Sequence, residues 1–202
     1  MKAKSISWKV LLLESGFIVL GVVIALGANE LRQSFRDQAR ADEALVSIGT
    51  ELCRNHLFLD ERLTYYQTMQ DTLFAAYPTS ADEPFTRRNF PQFRGAMPLL
   101  LTSASFEVAL ASDVMPHLDL NQVDSLAQVY ELQRMVTVFQ ERFLEAALNK
   151  NMETVAEHAA YFSEMTSFGS ELRRFYLGAL RSLPATHEAC LNAVSPDTAT
   201  SP

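Results

Sequence analysis

Histidine and cysteine are the residue types in this sequence that could bind a metal or act in acid–base chemistry, but their spacing favours neither role. The histidines are scattered along the chain: His56, His117, His158 and His187. A metal site in a helical bundle needs pairs such as Glu-x-x-His or His-x-x-x-His, which place two ligands on one helical face. Glu51 and His56 are instead five residues apart, and the segment His187 to Cys190 lacks the second histidine of a zinc-protease motif. We therefore predict no enzyme activity, no catalytic residue, no metal ligand and no cofactor.

A second set of polar residues could form a site between helices. We predict that Glu51, Asn55 and Arg62 lie on one long helix opposite Ser105 and Glu107. Asn55 and Arg62 fall on an apolar seam, where polar side chains either set the register or meet partners inside a bundle. Glutamate and arginine on facing helices are more typical of a buried ion-pair network than of catalysis. A small ligand bound near Asn55, Arg62 and Glu107 is the alternative interpretation.

The segment that places Glu51, Asn55 and Arg62 has a helical pattern. Residues 30–73 contain no proline and one glycine, Gly49. Apolar residues recur every seven positions, with two more at an offset of three: Leu45, Leu52, Leu59, Tyr66 and Leu73, then Ile48 and Met69. This periodicity predicts a long helix with one packed seam.

Two further helical segments follow a break in the pattern. Residues 102–112 predict a short helix that ends at Met115-Pro116-His117. Asn121 is the predicted N-cap of a longer helix that extends to about Leu148. Its apolar stripe comprises Val129, Leu132, Val136, Phe139 and Phe143. Asn149, Lys150 and Asn151 predict a turn or a bend after it.

The last part of the chain predicts two more helices. One has the stripe Met152, Val155, Ala159 and Phe162, and the other has Leu172, Phe175, Tyr176 and Ala179. Gly169 and Ser170 separate them, and Pro184 ends the second. No alternating β pattern competes. The predicted fold class is therefore all-α: an N-terminal transmembrane helix that continues into a long helix, with an antiparallel helical bundle packed on it.

A proline-rich loop at 77–98 interrupts the helices. It contains the only local cluster of basic and aromatic residues in the body: Arg87, Arg88 and Arg94 with Phe85, Phe90 and Phe93. One interpretation is a docking site for an anionic partner or a lipid headgroup. The other is a loop that packs its phenylalanines onto the bundle.

The apolar run at 10–28 determines the expected compartment. It holds one charge, Glu14, in nineteen residues, enough for a helix to cross the ~30 Å hydrocarbon core. Trp8 and Lys9 lie at one end and Arg32 follows the other, which suits interfacial anchoring. A cleaved signal peptide with Ala25-Leu26-Gly27 near its cut is the alternative, and we favour the anchor.

The charge distribution predicts the orientation and excludes one class of partner. Lys2, Lys4 and Lys9 precede the span, whereas residues 29–202 carry 14 Lys and Arg against 23 Asp and Glu. The basic tip favours a cytoplasmic N-terminus and a periplasmic body. An acidic body argues against nucleic acid. Cys53 and Cys190 are compatible with one disulfide in an oxidising compartment or with two buried free thiols.

One face of the predicted membrane helix could mediate self-association. Glu14, Gly21, Ala25 and Ala28 lie within about 40° of one line on the helical wheel. Gly21-xxx-Ala25 is the small-xxx-small pattern that lets membrane helices approach closely. Glu14 lies one turn inside the basic end, so the alternative is that it only reaches the interface or meets Lys9.

Several segments of the chain together resemble one group of proteins. They are ESGFIVLGVVIALGANELRQ at 14–33, RADEALVSIGTELCRN at 40–55, TSASFEVALASDVMPHLD at 102–119 and VYELQ at 129–133. The chain resembles a group of uncharacterised bacterial proteins with a single N-terminal transmembrane helix, an apolar run ending in Ala-Leu and an Asn-Glu-aromatic-Arg exit. Leu31 stands here where the group usually has Trp, whereas Glu107 is the residue that the group has at the corresponding position. The resemblance implies a bacterial envelope protein and no particular activity.

These observations predict a single-pass protein of the bacterial inner membrane. Its predicted parts are a cytoplasmic tip (1–9), a transmembrane helix (10–28), an extracytoplasmic helical bundle (29–194) and a disordered tail (195–202). We expect a non-enzymatic scaffold or interaction module whose partners are the lipid bilayer and either another protein or a second copy. The alternative is a periplasmic ligand-binding or sensor-type bundle that acts through a partner protein.

Overall fold

A computed structural model describes residues 8–149 and 153–183, with the backbone alone at 9–14. It contains α1 (Trp8–Ser80), α2 (Ala104–Ala111), a 3-10 turn (Met115–His117), α3 (Leu120–Leu148) and α4 (Val155–Ser182). Within these ranges there is no β-strand, only an isolated bridge between Pro84 and Thr154. The all-α prediction is confirmed. The predictions for the basic tip, Lys150–Met152, Pro184, the His187 to Cys190 segment and the tail lie outside the described residues.

The long helix predicted for 30–73 is confirmed, and it extends further than expected. α1 includes Pro78 and ends at Ser80, so the loop that was predicted to start at residue 77 starts three to four residues later. Proline lacks the backbone N–H that would bond to the carbonyl four residues earlier. Because Pro78 lies near the end of α1, few backbone hydrogen bonds of the helix follow it. The Thr79 hydroxyl also donates to the Ala76 carbonyl at 3.2 Å, which gives this last turn one more hydrogen bond.

The chain divides into two compact units between Glu43 and Ala44. In the second unit, the seam residues Leu52, Leu59, Tyr66 and Leu73 are fully buried, as their seven-residue spacing predicted. Tyr66 contacts Phe162 of α4 with ring centroids 6.1 Å apart.

Side-chain contacts define the helix directions in this unit. Asp60 of α1 pairs with Arg173 of α4 at 3.0 Å, and together with the Tyr66 contact this makes α4 antiparallel to α1. α3 and α4 are also antiparallel, because Gln122 contacts Ser182 at one end and Phe143 stacks on Tyr161 at the other. α3 runs parallel to α1.

Two sequence predictions about helix ends were wrong. Gly169 and Ser170 do not separate two helices, because both lie inside α4. Gly169 is buried where α4 crosses α1, and a Cβ there would lie 2.7 Å from Leu63 Cδ2. The N-cap of α3 is Asp119 rather than Asn121: its carboxylate accepts from the Asn121 amide at 2.8 Å and forms a capping box with Gln122.

Candidate functional site

Glu51 is the buried carboxylate of the predicted polar cluster, and its oxygens are already hydrogen-bonded. It is 6% exposed. Tyr130 of α3 donates to Oε1 at 2.6 Å, and the Ser105 backbone amide donates to Oε2 at 2.9 Å. Burial and the neighbouring Glu51 charge raise the pKa of Tyr130 well above its ordinary range. The phenol therefore remains a donor, and the pair links α1 to α2 and α3.

Asn55, one turn further along α1, binds the backbone of Thr102 and also donates to Gln133 Oε1 of α3 at 3.4 Å. Its Nδ2 donates to the Thr102 carbonyl at 2.8 Å, and its Oδ1 accepts from the Thr102 amide at 3.1 Å. Gln133 of α3 donates to the same carbonyl at 3.0 Å and accepts from the buried Tyr176 hydroxyl at 2.8 Å. Burial raises the pKa of Tyr176. Three side chains and the backbone amide and carbonyl of Thr102 thus form a connected hydrogen-bond network.

The other predicted members of the cluster do not join it. Glu107 is exposed and accepts a hydrogen bond from Ser103 four residues earlier, so its predicted burial was wrong. Arg62 is half-buried and makes no ion pair among the described residues. Its Nη1 contacts Met97 Sδ at 3.7 Å, and its guanidinium lies 4.8 Å from the Phe58 ring centroid. Its buried Nε has no hydrogen-bond partner in the part of the chain that the structure describes. The expected Glu–Arg ion-pair network is therefore replaced by hydrogen bonds from uncharged donors to the Glu51 carboxylate and by amide hydrogen bonds around Asn55.

These polar side chains bind a segment without helix or strand at 94–102, called the extended segment below, which leads to α2. Gln140 of α3 pairs with both the amide and the carbonyl of Leu99. Tyrosine hydroxyls donate to the carbonyls before it: Tyr65 to Gly95 at 2.7 Å and Tyr66 to Met97 at 2.6 Å. Since buried backbone groups need partners, these side chains replace the ladder that a strand would supply.

Sequence reasoning did not identify Gln133, Gln140, Tyr65 or Tyr161 as members of this arrangement. Tyr161 of α4 donates to the Ala96 carbonyl at 3.3 Å. Gln133 and Gln140 are seven residues apart on α3, each four residues after the buried Val129 and Val136 of the apolar stripe. That spacing, amides recurring on an apolar face, is the signal that could have identified them.

His56 is a buried polar side chain with a different environment. It is fully buried on α1, and within the described residues neither ring nitrogen has a hydrogen-bond partner. Its Nδ1 lies 3.6 Å from Asp60 Oδ2, and its ring stacks on Tyr176 with centroids 6.2 Å apart. No group of three or more metal-ligating side chains converges in the described part of the chain.

The loop has a feature of each interpretation drawn from its sequence: packed phenylalanines and exposed arginines. Its phenylalanines pack inward: Phe90 is buried, and Phe85 stacks on His158 of α4 with centroids 3.8 Å apart. Burial lowers the pKa of His158. The loop arginines, Arg87, Arg88 and Arg94, are exposed and make no ion pair with any described residue. The apolar half of the cluster is thus structural, whereas the basic half faces solvent.

The first unit contains the candidate membrane span. α1 is the one described helix that is long and apolar enough to cross a membrane, by length and composition. Its large apolar side chains between positions 17 and 26 are 53–66% exposed: Phe17, Ile18, Val19, Leu20, Val22, Val23, Ile24 and Leu26. Gly21, Ala25 and Ala28 on the predicted interface are exposed too, and the Glu14 side chain lies outside the described ones.

Cys53 is not a free thiol. It lies on α1 between Leu52 and Arg54 and is disulfide-bonded. Cys190, the second cysteine of the sequence, lies outside the described residues.

Comparison of the chain with protein-family models, with curated proteins and with solved structures gives no match. The function is therefore argued from the exposed apolar span, the clamped extended segment and the surface charges.

Proposed function

We propose that this protein is a single-pass, membrane-anchored helical module of the bacterial inner membrane that presents its bundle in the periplasm to protein partners. The observation that supports anchoring most directly is the exposed apolar stretch of α1 between Phe17 and Leu26. Burying a side chain of this kind gains about 1.5–3 kcal/mol relative to water. The described fold leaves these side chains uncovered, so lipid would stabilise them. The hydrocarbon core of a bilayer has a thickness that a helix of this length crosses.

The orientation rests on charge and on cysteine chemistry. Lys2, Lys4 and Lys9 precede the span, and short basic segments remain on the cytoplasmic side. The disulfide bond of Cys53 supports an oxidising compartment for the bundle, because such bonds are rare in the reducing cytoplasm. We propose Cys190 as its partner, since no other cysteine exists in the chain. The resemblance to bacterial proteins with one N-terminal membrane helix supports the same envelope location.

A non-enzymatic role fits the state of the buried polar groups. Asn55 and Gln133 are occupied in hydrogen bonds to the chain's own extended segment, and Glu51 in hydrogen bonds to Ser105 of α2 and Tyr130 of α3. A ligand bound among them would have to break these contacts, and Arg62 and Glu107 lie outside the network. The interaction module is therefore favoured over the ligand-binding alternative, and the polar cluster is assigned a structural role.

Self-association through the membrane helix forms part of this proposal. The small residues Gly21, Ala25 and Ala28 leave one face of the span with little side-chain bulk, and nothing lies within 4 Å of a Cβ built on Gly21. A second copy could therefore approach closely there, with Glu14 on the same face.

Fusion of alkaline phosphatase after Pro202, compared with a reporter that is active only in the cytoplasm, tests the anchor and the orientation together. We expect phosphatase activity and retention in the membrane after carbonate extraction. A soluble, active fusion would instead support a cleaved signal peptide, and activity of the cytoplasmic reporter alone would reverse the proposed orientation.

The disulfide is tested independently by electrophoresis of Cys53→Ser and Cys190→Ser variants with and without reductant. The wild-type chain should migrate differently after reduction, and both variants should migrate like the reduced wild type. Loss of a native disulfide typically costs about 2–5 kcal/mol, so both variants should also melt earlier. A reductant-insensitive wild type would remove this support for a periplasmic bundle.

Chemical crosslinking tests the membrane face, with Gly21→Leu as the probe and Val19→Leu, on the opposite side of the helix, as its matched control. The Gly21 substitution should reduce the crosslinked dimer, whereas the Val19 substitution should not. Equal dimer yields from both variants would exclude this face from self-association.

A further inference from the structure

Arg62, Arg87 and Arg94 lie close to Tyr65 and Tyr66 of α1, where the loop and the extended segment pass this helix. Arg94 donates its backbone amide to the Tyr65 hydroxyl at 3.0 Å, and the positive charges of Arg94 and Arg87 both act on that hydroxyl. Arg62 is one turn before Tyr65 and contacts Met97 of the extended segment. Arg88 follows Arg87 in the exposed turn. These four residues, Arg62, Arg87, Arg88 and Arg94, are called the arginine surface below.

The arginine surface has no carboxylate of its own. No described residue forms an ion pair with any of the four, and no acidic residue occurs between Glu83 and Glu107. Arg62 is the most buried of the four, and among the described residues its guanidinium contacts a thioether and an aromatic ring. Elsewhere in the described bundle, arginines such as Arg134 and Arg173 pair with nearby carboxylates. Others, such as Arg142 and Arg181, also form no ion pair with a described residue, so the distinguishing feature of the arginine surface is that three of its arginines lie in a stretch, 84–106, without any acidic residue, in a chain of net charge −7.

We propose that the arginine surface docks an acidic segment of a partner protein. Guanidinium groups pair with carboxylates through two parallel hydrogen bonds. Arg94 begins the extended segment, and Arg62 of α1 contacts Met97, three residues further along it. This spacing of the two guanidinium groups suits an acidic chain with several carboxylates in a row. A membrane surface fits less well, because the loop phenylalanines Phe85 and Phe90 pack inward instead of facing outward beside the arginines. This inference builds on the proposed interaction role and names the chemistry of its partner.

Fluorescence anisotropy with a fluorescein-labelled deca-glutamate peptide tests the inference on the full-length chain in nonionic detergent at low ionic strength. The test variant is Arg87→Gln/Arg88→Gln/Arg94→Gln, whose positions are exposed and whose fold is checked by circular dichroism. The control variant is Arg134→Gln/Arg142→Gln/Arg181→Gln, which changes the net charge equally and also keeps the basic tip.

We expect saturable binding that weakens about tenfold in the test variant and less than about twofold in the control, as for several exposed ion pairs acting together. Equal weakening by both variants, or no saturable binding by the wild type, would overturn the inference. Parallel measurements use inorganic phosphate and phosphatidylglycerol vesicles. If either of these, and not the peptide, depends on the three loop arginines, the surface binds phosphate groups instead. None of these results depends on membrane topology, so this inference and the proposed orientation fail separately.

Discussion

Gly169 is the position where one added methyl group should have the clearest energetic effect. It lies inside α4 against α1, and a Cβ built there would be 2.7 Å from Leu63 Cδ2 and 3.4 Å from Leu59 Cδ1. Replacing glycine with alanine gains about 1 kcal/mol of helix propensity. Overpacking a close contact costs about 1–3 kcal/mol. Gly169→Ala should therefore lower the free energy of unfolding by about 1 kcal/mol, within a range of about 0 to 2.

Gly178 provides a matched control in the same helix. It is exposed, and nothing lies within 4 Å of a Cβ at that position. Gly178→Ala should therefore keep the propensity gain of about 1 kcal/mol without a steric cost. For a domain of this size the melting temperature should rise by about 2–4 °C.

A double-mutant cycle separates the steric term from propensity. Leu63→Ala alone should cost about 2–5 kcal/mol, because it opens a cavity beside Gly169. In that background Gly169→Ala should become stabilising, as at Gly178, so the two substitutions should couple by at least about 1 kcal/mol. Urea denaturation followed by far-UV circular dichroism measures each corner of the cycle. Additive effects, or stabilisation by Gly169→Ala in the wild-type background equal to that of Gly178→Ala, would refute the close approach of the two helices.

Three further substitutions test other contacts. Because burial lowers the folded-state pKa of His158, the unfolded chain takes up its proton first as pH falls below about 6.5, so stability should fall over that range and His158→Gln should flatten the dependence of melting temperature on pH. Gln140→Leu leaves the buried amide and carbonyl of Leu99 without partners and should cost about 2–4 kcal/mol in urea denaturation, whereas Gln128→Leu on the exposed face should change stability by less than about 0.5 kcal/mol. His56→Leu removes two unsatisfied buried nitrogens and should raise the melting temperature by about 2–4 °C; a lower melting temperature would mean that the histidine has a bonded partner.

The helices were predictable because each is a periodic signal within one stretch of chain. The seven-residue spacing from Leu45 to Leu73 identified the buried seam of α1, and the stripe ending near Leu148 identified α3. The prediction failed where one residue type is compatible with two structural roles. Gly169 resembles a helix break in sequence but instead permits a close helix crossing, and this requires knowledge of Leu63 on another helix.

The polar site was predictable only in part for the same reason. Glu51 does meet Ser105, through the Ser105 backbone amide, whereas Asn55 binds the backbone of Thr102. Neither this backbone nor Tyr130, the other partner of Glu51, is identified by a helical wheel of α1. Spacing along α1 could not reveal that Arg62 faces a thioether rather than a carboxylate.

The sequence by itself determined the helical class, the apolar span and the uneven charge, because composition and periodicity act within one segment and need no distant partner. Only the tertiary structure decided which polar residues are occupied and which remain available. Asn55 and Gln140 became clamps on an extended segment because buried peptide groups must be hydrogen-bonded. Arg87 and Arg94 remained at the surface, without an ion pair to any described residue, because Phe90 and Phe93 between them pack toward the core and leave the charged side chains of the loop outside.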